Sequence, residues 1–154
     1  MSATIKSFVA DQVAWMRSQS DDVRVFTLPV EPKPASRPRI SKWGVYYGKP
    51  YTTFRQTAQP YADAYDSYKP IEGPIAVLCE IVCTKPKTGK LNFPRGDVDN
   101  YVKGPLDVMT KSGKFWNDDV QVVSINCVKR YTDLNEGETA ACNLYLFPLG
   151  GTMK

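Results

Sequence analysis

The sequence predicts an α+β fold, a single mixed β-sheet with helices packed on it. Three observations carry this. Apolar residues recur at helical spacing in three separated stretches, around residues 4–17, 54–68 and 97–111. Runs of strand length rich in Val, Ile, Cys and Tyr lie between and after them, at 23–30, 75–84, 120–131 and 139–147. The resulting order, helix, strand, loop, helix, strand, helix, strand, strand, is neither a regular βα alternation nor a run of strands alone. At 154 residues the chain is long enough to bury one core without disulfide or metal staples.

Taken in order, TIKSFVADQVAWMR (4–17) sets Ile5, Phe8, Val9, Val13 and Met16 on one helical face. Ser18–Asp22 is polar and connects. VRVFTLPV (23–30) alternates as a strand and stops at EPKPASRPR, where three prolines forbid a helix interior or a central strand, so 31–39 is an extended loop. SKWGVYYGKPYTT (41–53) mixes aromatics, glycine and lysine, as a short hairpin or a mobile loop does. A helix is expected over Phe54–Tyr68, with Pro60 as a kink or a late start. Residues 69–74 turn, Ile75–Thr84 is the strongest strand, and Lys85–Pro94 is a basic loop. A helix from Asp97 to about Lys111, ended by Gly113, is interrupted by Gly104-Pro105, where the proline ring should bend it. Val120–Tyr131 and Thr139–Phe147 form the last two strands, joined by the acidic turn 132–138.

Composition excludes several classes of function. No apolar run reaches the ~20 residues of a membrane span, and no signal-peptide pattern opens the chain. The four cysteines, at 79, 83, 127 and 142, form no CxxC pair, and there is no histidine to complete a zinc site. Cys79 and Cys83 fall on one face of a strand, as small core residues. Without histidine there is no Ser-His-Asp or Cys-His nucleophile, so catalysis at neutral pH must come from carboxylate, lysine, tyrosine or bound metal.

The net charge of +4 is modest, but its distribution is not. Pro32–Ala62 carries Lys33, Arg37, Arg39, Lys42, Lys49 and Arg55 and no acid; Ile81–Gly96 carries Lys85, Lys87, Lys90 and Arg95 and no acid. Half of all positive charge thus lies in two acid-free windows, the pattern of a nucleic-acid-binding surface. Arg37, Arg39 and Lys42, on the proline-stiffened loop, are the first candidates for phosphate contacts, followed by Lys49 and the basic loop. Trp43, Tyr46 and Tyr47 are candidates for stacking on exposed bases, or for packing beneath the loop.

Against this background GDVDNYVKGPLDV (96–108) and FWNDDVQVV (115–123) place acids at Asp97, Asp99 and Asp119 beside Lys103. Such carboxylates are hard oxygen ligands suited to Mg²⁺, which in turn meets phosphate. The spacing alone admits an ordinary reading, with Asp99 as N-cap, Asp118-Asp119 as turn residues and Lys103 as a surface ion-pair partner.

The block RGDVDNYVKGPLDVMTKSGKFWNDDVQV resembles the RusA family of crossover (Holliday) junction endodeoxyribonucleases, many of them encoded by phages and prophages. That family carries D-x-D-N-x-x-K, an L-D motif, a glycine and D-D-x-Q-V at a strand start. The resemblance spans about residues 23–147. It implies a nuclease domain over 23–154 behind an N-terminal helical extension, 1–22. It further implies metal-binding acids at Asp97, Asp99 and Asp119, a catalytic lysine at Lys103, and Mg²⁺ as cofactor with Mn²⁺ as a substitute. The substrate would be branched DNA, a four-way junction, cut by a homodimer in the cytoplasm of a bacterial host cell. Asp107 matches a recurrent family acid and is expected to support the site rather than to bind metal. The gap between Asp99 and Asp119 must close in space for this reading to hold. A looser nuclease acting on forks, flaps or branched phage DNA, and a non-catalytic DNA-binding protein, are the competing expectations.

Overall fold

A computed structural model describes residues 2–36, 38–66 and 69–150, excluding the side chains of Ser2 and Arg39. Helix α1 (Ser2–Gln19) is followed by strand β1 (Arg24–Leu28), a hairpin of β2 (Arg39–Ser41) and β3 (Gly44–Tyr46), and helix α2 (Lys49–Asp63). Strand β4 (Ile75–Cys83), helix α3 (Val98–Ser112), β5 (Val122–Tyr131) and β6 (Ala141–Pro148) complete the order. The main sheet is mixed, in the order β1-β6-β4-β5: β4 pairs antiparallel with β6 and parallel with β5, while β6 pairs antiparallel with β1. The α+β expectation holds, with one correction. The sheet is not single, because β2 and β3 form a separate two-stranded ribbon.

β4 organises the core because side chains alternate across a strand and both faces of this one are covered. Val77, Cys79, Ile81 and Cys83 point to the side packed by α2 and α3, with Phe54, Tyr101, Val108, Met109, Phe115 and Trp116. Leu78 points to the other side, where Val9 and Met16 of α1 close over it with Phe147. The N-terminal helix is therefore packed on the sheet along its apolar face. Cys79 and Cys83 do share the first face, and all four cysteines are free thiols. Among the described residues, no helix is long and apolar enough to cross a membrane.

Several boundaries move for physical reasons. α2 begins five residues before Phe54, because Pro50 takes the first turn, where its missing N–H costs nothing. Pro60 sits inside the last turn and neither starts nor interrupts the helix; Tyr68, the expected end, lies outside the described residues. α3 runs continuously through Gly104-Pro105. Its glycine is required by packing, since a Cβ there would lie 2.7 Å from the Phe54 ring of α2. Gly113 ends α3 in the left-handed conformation (φ 69°), as the sequence predicts. β5 starts at Val122, two residues late, because Asp119–Gln121 form a 3₁₀ turn.

Candidate active site

The polypeptide between β4 and β5 supplies the acids. After Cys83 the chain runs through the basic loop and reaches Gly96, which is pinned by the Lys129 ammonium donating to its carbonyl at 2.7 Å. A side chain at 96 would strike the Tyr101 ring at 2.6 Å, so glycine is the residue this close approach allows. Asp97, rather than Asp99, then takes the N-cap position of α3 in extended backbone (φ −73°, ψ 144°). Its carboxylate makes no capping bond. Asp99 lies in the first turn, where a negative charge favours the helix dipole. Both carboxylates are exposed, and no hydrogen bond or ion pair among the described residues uses either one.

Lys103 follows Asp99 by four residues and Asp107 follows Lys103 by four, so all three share one side of α3. The Lys103 ammonium bonds Asp107 Oδ2 at 3.2 Å and lies 5.7 Å from the centre of the Tyr47 ring. The Tyr51 hydroxyl donates to the same Asp107 oxygen at 2.5 Å. Burial, and then Asp107, push the Tyr51 hydroxyl well above the usual tyrosine range, so it stays a proton donor. Arg55 stacks on Tyr47 and Tyr51, with ring distances of 5.3 and 4.8 Å. Asp107 thus supports Lys103, as the sequence reading expected, while two α2 residues that it did not single out, Tyr51 and Arg55, buttress the arrangement. The signal available was their place in the first acid-free window, opposite the α3 glycine.

Asp119 enters from the 3₁₀ turn ahead of β5. Asp118 caps that turn, accepting from the Val120 amide at 3.0 Å, while Gln121 reaches back to the amides of Asn117 and Asp118. The Asp118 carboxylate is thus engaged as the cap of the turn. The Asp119 carboxyl is raised above its ordinary range by a hydrogen bond shared with Asp118, then by slight burial and by the charges of Asp118 and Asp107, against the pull of Lys103. The charge of Asp99 instead reaches Cys127, five residues into β5.

The three expected metal ligands are therefore not assembled within one chain. Asp119 lies within electrostatic reach of Lys103 and Asp107, while Asp97 and Asp99 open α3, Asp99 about one turn before Lys103. Among the described residues, no group of three or more His, Cys, Asp or Glu side chains is placed to hold a metal ion. The chemistry of the donors suits Mg²⁺, being all hard and solvent-accessible carboxylate; their spacing in the isolated chain does not.

Lys42, Lys49, Lys85, Lys87, Lys90 and Arg95 are all exposed. Arg37, and the side chain of Arg39, lie outside what the structure describes. Lys33, Lys90 and Arg95 line a cleft of about 470 Å³ floored by Cys83, Tyr101 and Tyr131, next to the Asp97 turn. Trp43, 87% exposed, projects from the β2–β3 hairpin with the Lys42 ammonium 5.1 Å from its ring. Tyr46 is half exposed, while Tyr47 packs edge-on against Tyr51. Trp43 and Tyr46 thus stand clear of the loop, and only Tyr47 packs under it.

No curated protein is significantly similar to the chain in sequence. A family model, endodeoxyribonuclease RusA, matches residues 29–138, a span from the end of β1 to the turn before β6 that contains every acid and lysine just described. Matched over well more than half its length by that model, the chain belongs to the RusA endodeoxyribonuclease family.

Proposed function

We propose that the protein is a Mg²⁺-dependent endodeoxyribonuclease that resolves four-way DNA junctions by paired symmetric nicks. The observation that carries this is the opening of α3: two unengaged carboxylates, Asp97 and Asp99, lie one turn from a held lysine and beside a basic cleft, inside the family match.

Asp97 and Asp99 would hold Mg²⁺ (or Mn²⁺ in its place), with Asp119 as the third acid of the motif, and the ion would supply Lewis acidity toward a phosphate and a water, chemistry that the chain, without histidine, otherwise lacks. The chain's own residues do the rest. Lys103 stabilises charge developing on the phosphate oxygens, and its aim is set by Asp107, itself fixed by Tyr51. The products are a 5′-phosphate and a 3′-hydroxyl. Arg37, Arg39, Lys42 and Lys49 hold one stretch of backbone; Lys85, Lys87, Lys90 and Arg95 hold another. Trp43 and Tyr46 stack on bases left unpaired at the open centre of the junction. A homodimer suits a four-armed substrate with approximate two-fold symmetry, presenting one site to each of two opposed strands.

The test is purified protein with end-labelled four-way junction, flap, fork and duplex, each with Mg²⁺ and with EDTA. Paired nicks on opposed strands of the junction, lost in EDTA while binding persists, are the expected result. Cleavage confined to flaps or forks would move the substrate to other branched DNA, and a bound, intact junction would leave a DNA-binding protein without catalysis.

A further inference from the structure

A second pair of cations lies one turn beyond Asp107, in the seam between α2 and α3. Arg55, Gln56 and Gln59 of α2 and Asp107 and Lys111 of α3 line a cavity there of about 270 Å³. That is room for a phosphate group and several waters, each of which takes about 30 Å³. The same helical step brings these groups together. Lys103, Asp107 and Lys111 recur at every fourth residue of α3, as Tyr51, Arg55 and Gln59 do along α2.

Arg55 is the unsatisfied member. Its guanidinium lies against the Tyr47 and Tyr51 rings, and its Nε is buried without a hydrogen-bond partner among the described residues. A buried charged donor without an acceptor is costly, and a ligand that accepts from it removes the cost. Rings against its face leave the guanidinium its edge, the fork that fits two oxygens of a phosphate. Lys111 is exposed, and no ion pair among the described residues uses either cation. The Asp107 carboxylate shares the cavity, but the Lys103 ammonium and the Tyr51 hydroxyl already engage it. Asp63, beyond Gln59, accepts from that residue's amide at 2.9 Å. Arg55 and Lys111 therefore leave the cavity selective for an anion.

We propose that this cavity binds a phosphodiester of the DNA strand being cut, a few nucleotides from the scissile phosphate. The placement follows from the helix, since Lys111 lies eight residues past Lys103, about 12 Å along the axis. Two anchors that far apart on one strand fix its direction as well as its position, so that Lys103 meets one chosen phosphate. The identity of the strand rests on the nuclease reading above; the cavity and its charge do not.

The experiment is a charge scan of the substrate, read by binding alone. Four-way junctions carry a single neutral methylphosphonate linkage, moved stepwise along the strand on either side of the branch. Their affinities are measured in EDTA for wild type, Arg55→Gln and Lys111→Gln. One linkage should weaken wild-type binding about tenfold and weaken neither variant further, because the contact it removes is already lost there. Lys111 is exposed, so its variant keeps the test sound if Arg55→Gln disturbs the tyrosines packed on it, with circular dichroism reading the fold of both. Linkages that act equally on wild type and Lys111→Gln would overturn the proposal. A nicked junction, with and without a 5′-phosphate at the nick, separates the other source of the same chemistry. A flat scan with tighter wild-type binding to the phosphorylated nick would make this a product-end site and overturn the internal one. A wild type that binds junctions but never cuts them sinks the nuclease reading, while the scan still decides the cavity.

Discussion

Lys103 is held from two sides, by the Asp107 carboxylate at 3.2 Å and by the face of Tyr47. A cation so placed has less freedom to lose when it meets a developing negative charge, which is what a transition-state role requires. Lys103→Ala should therefore lower junction cleavage on the order of 10²-fold with little change in binding, measured by single-turnover kinetics and gel shift. A loss confined to affinity would make it a DNA contact. The neighbouring Gly104 tests the packing on which this depends. In an ordinary helix interior glycine to alanine stabilises, by about 1 kcal/mol. Here the added carbon would meet Phe54 at 2.7 Å, so Gly104→Ala should instead destabilise by about 1–3 kcal/mol in thermal or urea unfolding. The contact between Lys103 and Asp107 was legible, because four residues are one helical step, while nothing local relates Asp119 to Asp99. The sequence left Gly104-Pro105 as an anomaly, because the reason for the glycine is a ring from another helix, fifty residues earlier.

At the scale of elements, strands and helix ends were read well where the signal was local. Gly113 ends α3, and β4 shows the unbroken apolar run of a strand buried on both faces. The misreadings involve proline, whose meaning depends on position: Pro50 opens α2 ahead of the expected start, and Pro60 is tolerated in its last turn rather than kinking or starting it. The start of β5 was misjudged because a capping box, Asp118 with Gln121, holds the chain in a turn for three residues before it straightens. Between the prolines and α2 the sequence admits a hairpin or a mobile loop, and β2 and β3 form the hairpin. With Trp43 exposed at its tip, its role can be isolated from folding. Trp43→Ala should leave the unfolding midpoint unchanged and weaken binding to an open junction on the order of tenfold, with a smaller effect on duplex. Equal losses on both would show that the ring does not read unpaired bases.

Across the whole molecule, positive charge gathers in two acid-free stretches of sequence. Lys33 of the first basic window and Lys90 and Arg95 of the second line one cleft, so binding should fall steeply with added salt, read as the slope of log affinity against log salt concentration. The side of the sheet under α1 instead buries an ion network: Arg130 bonds Glu80 at 3.0 Å and grips both oxygens of Glu138. Arg130 holds the Glu138 carboxyl below its ordinary value of 4.5, outweighing partial burial. The native state therefore binds that proton less readily than the unfolded chain. The contribution is fully present above about pH 4.5 and is lost as pH falls through the lower, native value. Glu138→Gln should flatten the acid side of a plot of unfolding temperature against pH, and an unchanged profile would place the acid sensitivity elsewhere. What no sequence reading could supply is the distance between Asp99 and Asp119, because the rest of α3 and the turn after it lie between them and packing sets how the chain returns. The claim on which the account turns is that the α3 carboxylates cut and the basic surface binds. One four-way junction, with binding and cleavage measured together for wild type and Asp99→Asn, tests it most directly. The account predicts paired nicks by wild type in Mg²⁺, and an undiminished complex with no nicks in the variant; cleavage by Asp99→Asn at the wild-type rate would contradict it.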